Sequence, residues 1–275
     1  METIEVLRRR IESVEGLQSI VKTMKLLAAA SIRQDERAVE SLATYSRTIE
    51  MGLQVALRNR PVEMVMGQPS GRDRLGAIVL GSDQGMCGQF NEQIASYALQ
   101  QMTEAGRTES RAVLALGSRV TARLEEAGQP VEKSFLVPGS VAGITPTVQD
   151  LLMKIDDWTL QRKIDHVYLY YNRPFEGISY RAYSVHLLPV DSARLCDLSE
   201  QPWPSRALPT YSMDWDRLFS ALIHQYLFVA LYRSLAESLA AENASRLASM
   251  QAAEKNVEKH LEELRALYHH QRQHA

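Results

Sequence analysis

The sequence predicts an α/β fold with long helices: an antiparallel coiled coil of the N- and C-terminal helices, with a Rossmann-like α/β domain inserted between them. Three observations carry this. All ten prolines lie between Pro61 and Pro209, and of the fourteen glycines only Gly16 and Gly52 fall outside that span, so both ends are free to be long helices. Both ends place apolar residues at steps of three and four. Between them the pattern switches to short apolar runs that end in glycine and are each followed by a helical period.

The first helical stretch runs to about residue 58, with Ile4, Leu7, Ile11 and Val14, then Leu17, Val21, Met24 and Ala28, a seam with one slip of phase. The runs 74–82 (RLGAIVLGS) and 111–118 (RAVLALGS) read as buried parallel strands, followed by helices at Asn91–Met102 and Arg119–Ala127. After a loop holding Pro138, Gly139, Gly143 and Pro146, residues Val148–Arg162 read as a helix. IDHVYLYYNRPF and ISYRAYSVHLLPV then read as a strand pair turned at Phe175–Gly177. The C-terminal end has Leu218, Leu222, Tyr226 and Val229 early and Met250, Val257, Leu261, Leu264 and Tyr268 late. Ala240, Ala244, Ala248 and Ala252 form a small-residue line that permits close helix approach. Helical from Asp214 to His274, that segment would be about 90 Å long, too long for a compact domain to cover. The expected organisation is a discontinuous shaft of 1–60 and 211–275, an α/β domain of 74–190, and linkers at 61–73 and 191–210 rich in Pro, Ser and Gly. The competing arrangement folds both amphipathic helices flat onto the domain, but a lone helix cannot bury its own stripe, and sustained heptads with charged flanks favour pairing.

Composition narrows the function. With 31 basic and 33 acidic side chains the formal charge is -2, and no basic run offers a nucleic-acid footprint. Only Cys87 and Cys196 occur, too few for a disulfide framework. The amino terminus lacks the continuous apolar stretch of a signal peptide, and the richest apolar run, YLFVALY, is far too short to cross a bilayer. Any membrane association is expected to go through partners.

The stretch LGSDQGMCGQFNEQI (Leu80–Ile94) poses the one chemical question. A glycine-bearing turn opening a helix can hold a phosphate on backbone N–H groups, and Gly85 and Gly88 would let a ligand approach. A P-loop, however, needs Lys and Ser or Thr after its last glycine, and here Gln89 and Phe90 follow. A tight structural turn tied by Ser82 or Asn91 is the other reading. Neither GSDQG nor GSVAG has the spacing of a nucleophile elbow. Asp156–Asp157 and Glu262–Glu263 fall on helix surfaces, where carboxylates are ordinarily solvated, and among the C-terminal histidines only His270 and His274 have four-residue spacing. No catalytic residue, metal site or cofactor is expected.

Four landmarks in order, LRRRIESVEGLQSIVKTMKLLAAASI, GSDQGMCGQFN, HVYLYYNRPF and ESLAAENASRLASMQAAEKN, resemble the gamma subunit of F-type ATP synthases over nearly the whole chain. VKTMKLLAAASI and SRLASMQAAEKN are most similar to the alternative, sodium-type branch. The resemblance implies a non-catalytic rotor shaft inside a ring of three alpha and three beta subunits, with the domain seated on epsilon and the membrane c-subunit ring. It would couple ion flow to ATP synthesis or hydrolysis at the cytoplasmic face of a bacterial plasma membrane. It further implies shaft contacts to alpha and beta at Met24, Arg246, Gln251, Arg272 and Gln273, contacts of loops bearing Tyr45 and Tyr211 to the c-ring, and a scaffold turn at Gly85 and Gly88 without a nucleotide. Gln84 stands where relatives usually have Arg and Gln89 where they usually have Gly, which bears on any contact made through that Arg. Relatives also continue past the Arg272–Gln273 stretch with another apolar helical segment, so weaker shaft retention is expected here. Two other functions fit the residues alone: a nucleotide-binding α/β enzyme with helical dimerisation arms, and a coiled-coil adaptor that does not turn.

Overall fold

In a computed structural model, residues 4–58, 74–104, 111–162, 164–175, 179–204, 206–207 and 209–274 are described. The linker expected at 61–73 and most of the turn expected at 175–177 lie outside them. Helix α1 spans Ile4–Arg58. The domain follows as β1 (Leu75–Leu80), α2 (Phe90–Glu104), β2 (Arg111–Leu116), α3 (Ser118–Glu126), β3 (Lys133–Phe135), a 3₁₀ turn at Val141–Gly143, α4 (Ile144–Leu160), β4 (His166–Phe175), β5 (Ser179–Leu188) and α5 (Ser192–Glu200). Helix α6, Trp215–His274, closes the chain with 60 residues, about 90 Å of helix. It starts where Asp214 Oδ1 accepts from the N–H groups of Asp216 at 3.0 Å and Arg217 at 3.4 Å, an N-cap that stands in for missing intrahelical acceptors.

The sheet order is β3-β2-β1-β4-β5, parallel except for β5. Central β1 is buried along its whole length, as a strand covered on both faces must be. Its side chains alternate between two cores. Leu75, Ala77 and Val79 pack with Ile94, Ala98 and Met102 of α2 and Val120 and Leu124 of α3. Ile78 and Leu80 pack with Val148, Leu152, Ile155 and Trp158 of α4, and with Leu227, Leu231, Leu235 and Leu239 of α6. The C-terminal helix therefore serves as a layer of the domain before it leaves it.

Helix α4 begins at Ile144 rather than Val148, because Pro146 falls in its first turn, where no intrahelical N–H bond is lost; two further elements differ from the sequence reading. Residues 192–200, expected within a linker, form α5: the Asp191 carboxylate accepts from Ala193 N–H at 3.0 Å, and Leu195 is buried against Leu57 and Val190. Strand β3, only three residues long, was not expected at all. The phase of the α1 seam also differs. Leu17 is 53% exposed, while Gln18 is half-buried in its place, and Lys25 is half-buried beside Met24. The heptad therefore runs without a slip through 4, 7, 11, 14, 18, 21, 25 and 28. Long polar side chains fill two of its positions by laying their aliphatic stems along the seam.

Candidate functional site: a paired-helix shaft and its seat

Helices α1 and α6 are antiparallel. From the free tip toward the base, Arg265 Nη2 meets Glu15 Oε1 at 2.6 Å, Lys25 Nζ meets Glu254 Oε2 at 2.5 Å, and Asn243 Nδ2 donates to Asp35 Oδ2 at 3.0 Å. The Tyr45 hydroxyl then donates to Gln225 Oε1 at 2.6 Å, and Trp215 Nε1 donates to the Ala56 carbonyl at 2.8 Å. As the α1 partner advances, the α6 partner recedes, which only antiparallel pairing produces.

The pair passes through two environments. Residues 234–242 of α6 are buried all round, between α1 and the sheet. Toward the tip the buried apolar positions thin to Met250, Leu261 and Leu264 on α6 and Leu7 and Ala28 on α1, the narrow seam of a two-helix rod. Leu17, Ile20, Leu26, Leu27 and Leu267 all lie exposed on that rod. A run of large apolar side chains outside the seam marks a surface meant to be covered. The sequence reading missed this set because it assigned Leu17 to the seam.

At its base the rod sits on the glycine turn. Met86 (φ 62°) and Gly88 (φ 58°) take the left-handed conformation there. A Cβ on Gly88 would lie 3.5 Å from Ser249 Oγ and 3.6 Å from Ser245 Oγ of α6, so the turn lies directly against the shaft. Gly85 is not in that conformation and has only the Arg119 side chain nearby. The Ser245 hydroxyl donates to the Cys87 carbonyl at 2.5 Å, and Cys87, Phe90 and Ala241 form a small core. Burial pushes the Cys87 thiol up, keeping it protonated.

The same loop is tied to the start of α3 and, through Asn91, to α2. Asp83 accepts from Ser118 N–H at the start of α3 at 2.8 Å and from Val137 N–H at 2.7 Å. Ser82 N–H donates to Asn91 Oδ1 at 2.9 Å, and Asn91 Nδ2 donates to Ser82 Oγ at 2.8 Å. A carboxylate of the chain itself thus satisfies the positive end of α3. Asp83→Ala removes the carboxylate acceptor of two backbone donors and is expected to cost about 2–4 kcal/mol, read as a lower urea midpoint of the full chain.

A second anchor centres on Glu237 of α6, which is 7% exposed. Its carboxylate accepts from the Tyr171 hydroxyl and from Arg233 Nε, each at 2.8 Å, and lies 3.4 Å from Arg173. Burial, with Glu237 adding to it, raises the Tyr171 phenol, which therefore remains a donor. Among the described residues no group of three or more His, Cys, Asp or Glu is placed to hold a metal, and no helix is long and apolar enough to cross a membrane.

The residues singled out in the sequence are spread along the rod. Met24 is half-buried beside the seam position held by Lys25, while Gln251, Arg272 and Gln273 are exposed on the tip half of α6. Arg246 is 8% exposed: it donates from Nη1 to Asn243 Oδ1 at 3.0 Å and from Nη2 to Glu242. Burial raises the Glu242 carboxyl, with the Arg246 charge opposing. Tyr45 does not lie on a loop. It sits inside α1, about 20 Å of helix from the C-terminal end, because no breaker interrupts the chain there. Tyr211 is half-buried in the irregular segment leading into α6.

The sequence profile of the ATP synthase family matches residues 3–275. The ATP synthase gamma chain of Desulforamulus reducens is 25% identical over 193 residues, covering 70% of this chain and 67% of its own. That of Acaryochloris marina is 25% identical, covering 70% of this chain and 61% of its own, and that of Pasteurella multocida is 28% identical, covering 83% and 78%. Among solved structures, a chain of the Euglena gracilis mitochondrial ATP synthase rotor superposes with a TM-score of 0.66 at 15% identity, covering 98% of both chains. A chain of the central stalk and c-ring of the Tetrahymena thermophila mitochondrial enzyme gives 0.63 at 21% identity, covering 85% of this chain and 99% of its own. At these identities the structures speak to fold.

Proposed function

The chain belongs to the ATP synthase family as a gamma chain, the non-catalytic central-stalk subunit, and from that premise we propose that its paired helices turn as one rigid shaft. The observation that carries this reading is the rod itself, two antiparallel helices leaving a domain with exposed apolar side chains at Leu17, Ile20, Leu26 and Leu27. In the proposal three alpha and three beta subunits surround the tip half, and the domain and the base of the shaft rest on epsilon and the membrane c-ring, at the cytoplasmic face of a bacterial plasma membrane. A shaft without threefold symmetry presses each beta subunit differently, so its angle and the nucleotide affinity of each site form one coupled equilibrium.

Torque transfer requires stiffness along the rod and weak, exchangeable contacts around it. Met24, Gln251, Arg272 and Gln273 supply such contacts in this reading. Arg246 enters differently: its guanidinium is engaged with Glu242 and Asn243, so reaching a stator loop requires that pair to open. The Tyr45 hydroxyl donates to Gln225 of α6, so a contact from it to the ring requires that bond to open; Tyr211 lies on the approach to α6.

A rotation assay tests the proposal. Cys196 is exposed and Cys87 is buried, so a bead coupled to native Cys196 reports the motion of the chain in a complex reconstituted with alpha and beta. With ATP present the bead is expected to turn in one direction with three pauses per turn. A stationary bead in complexes that still hydrolyse ATP at the full rate would refute the shaft.

A further inference from the structure

Where the shaft leaves the domain, the seam of α1 carries an acid. Asp35 follows Ala28 and residue 32 on the heptad stripe and is 5% exposed, so a short acid is buried on a stripe whose other polar members, Gln18 and Lys25, are long enough to stay half-exposed. Its hydrogen-bonded neighbours form a chain. Asn243 Nδ2 donates to Asp35 Oδ2, Asn243 Oδ1 accepts from Arg246, and Arg246 donates onward to Glu242. The charged groups acting on this cluster are Glu36 beside Asp35 on α1, Glu242 and Arg246 on α6, and Asp83 on the loop after β1, whose charge acts on Glu242. Negative groups outnumber the one guanidinium. That guanidinium is itself incompletely used, because Arg246 Nε is buried with no partner among the described residues.

A buried carboxylate with a single hydrogen bond and an excess of like charge around it is held most cheaply as the acid. We propose that Asp35 is a proton-binding site built into the root of the shaft: protonated, it closes the α1–α6 seam, and ionised, it loosens the junction between shaft and domain. Burial pushes the Asp35 carboxyl up to about 6; the Asn243 hydrogen bond opposes the rise and Glu36 adds to it. The folded chain therefore binds this proton more tightly than the unfolded chain does. Stability from the site is full below the ordinary aspartate range and falls as pH rises through about 6, a change of about a hundredfold in the folding equilibrium. The effect does not require that the shaft rotate.

The experiment is a carboxyl-carbon NMR titration of the full chain carrying ¹³C-labelled aspartate, from pH 4 to 8. One aspartate resonance is expected to titrate with a midpoint near 6 and to be missing from Asp35→Asn. In urea, the substituted chain is expected to unfold later than the parent at pH 7.5 and to close that gap at pH 4.5. If every aspartate of the parent titrates in its ordinary range, the proposal fails, and this holds whether or not the variant folds. It fails equally if Asp35→Asn leaves the pH slope of unfolding unchanged.

Discussion

Gly117→Val is expected to lower the stability of the full chain by about 3–5 kcal/mol and to detach the seat from the shaft. Gly117 holds φ at 108°, and a Cβ there would stand 2.6–2.7 Å from the backbone carbonyl and nitrogen of Ser82. Two penalties act together: a conformation that a β-branched residue strongly disfavours, and a clash with main chain that no rotamer change relieves. The neighbours are the hydrogen bonds that fix the loop. Gly81 N–H donates to the Leu116 carbonyl at 2.8 Å, Arg119 N–H to Ser82 at 3.0 Å, and Gly117 N–H to Phe135 at 2.9 Å. Displacing Ser82 also shifts Asp83 and Asn91, and through Cys87 the Ser245 contact to α6. Chemical denaturation of the full chain should give a lower midpoint, and hydrogen exchange should rise in residues 81–91 and 240–249 together. A loss confined to the loop would mean that the seat and the shaft are mechanically independent.

Much of this architecture was legible because helix periodicity and proline placement are local signals. The absence of proline before Pro61 and after Pro209 leaves both ends free to form long helices, which the three-and-four spacing then calls for, and Asp214 caps α6 where the pattern begins. The alternation of RLGAIVLGS and RAVLALGS with helical periods gave the parallel sheet. Strand β3 was invisible, since three residues with an exposed lysine and serine carry no period, and only pairing with β2 makes them a strand. The helix within 191–210 was hidden by surrounding Pro and Ser, although Asp191 followed by Leu195 is an N-cap before a buried position. The candidate site was less readable for a different reason. Burial on every side of residues 234–242 erases the amphipathic contrast that distinguishes a contact from a core position. An arginine such as Arg246 then reads as a surface residue until its partners on the same helix and the loop packed above it are seen. The true phase at Leu17 and Gln18 was likewise lost, because hydrophobicity pointed to leucine while the uninterrupted heptad required glutamine.

Leu261→Ala with Leu264→Ala is the second large effect, expected to release the tip of the shaft while the domain stays folded. Both leucines are buried, at 3% and 4% exposure, in a stretch where, among the described residues, α6 packs against α1. Each truncation costs about 2–5 kcal/mol, and a thin two-helix seam has no surrounding core to share the loss. The ion pair in the same region cannot compensate. Arg265 and Glu15 are both about half exposed, so Arg265→Ala is expected to cost only about 0–1 kcal/mol. Limited proteolysis of the double variant should therefore cut within the last two dozen residues of α6 at rates that Arg265→Ala does not approach, while urea unfolding of the domain keeps its midpoint. The difference bears on torque. A shaft transmits twist only as far as its two helices remain locked, and in the tip half that lock is a single file of apolar side chains rather than the charges flanking it. In a rotation assay the double variant is expected to stall under a load that the Arg265→Ala chain still turns. Equal stall loads would place the working stiffness in the sleeve around the rod instead of in its seam.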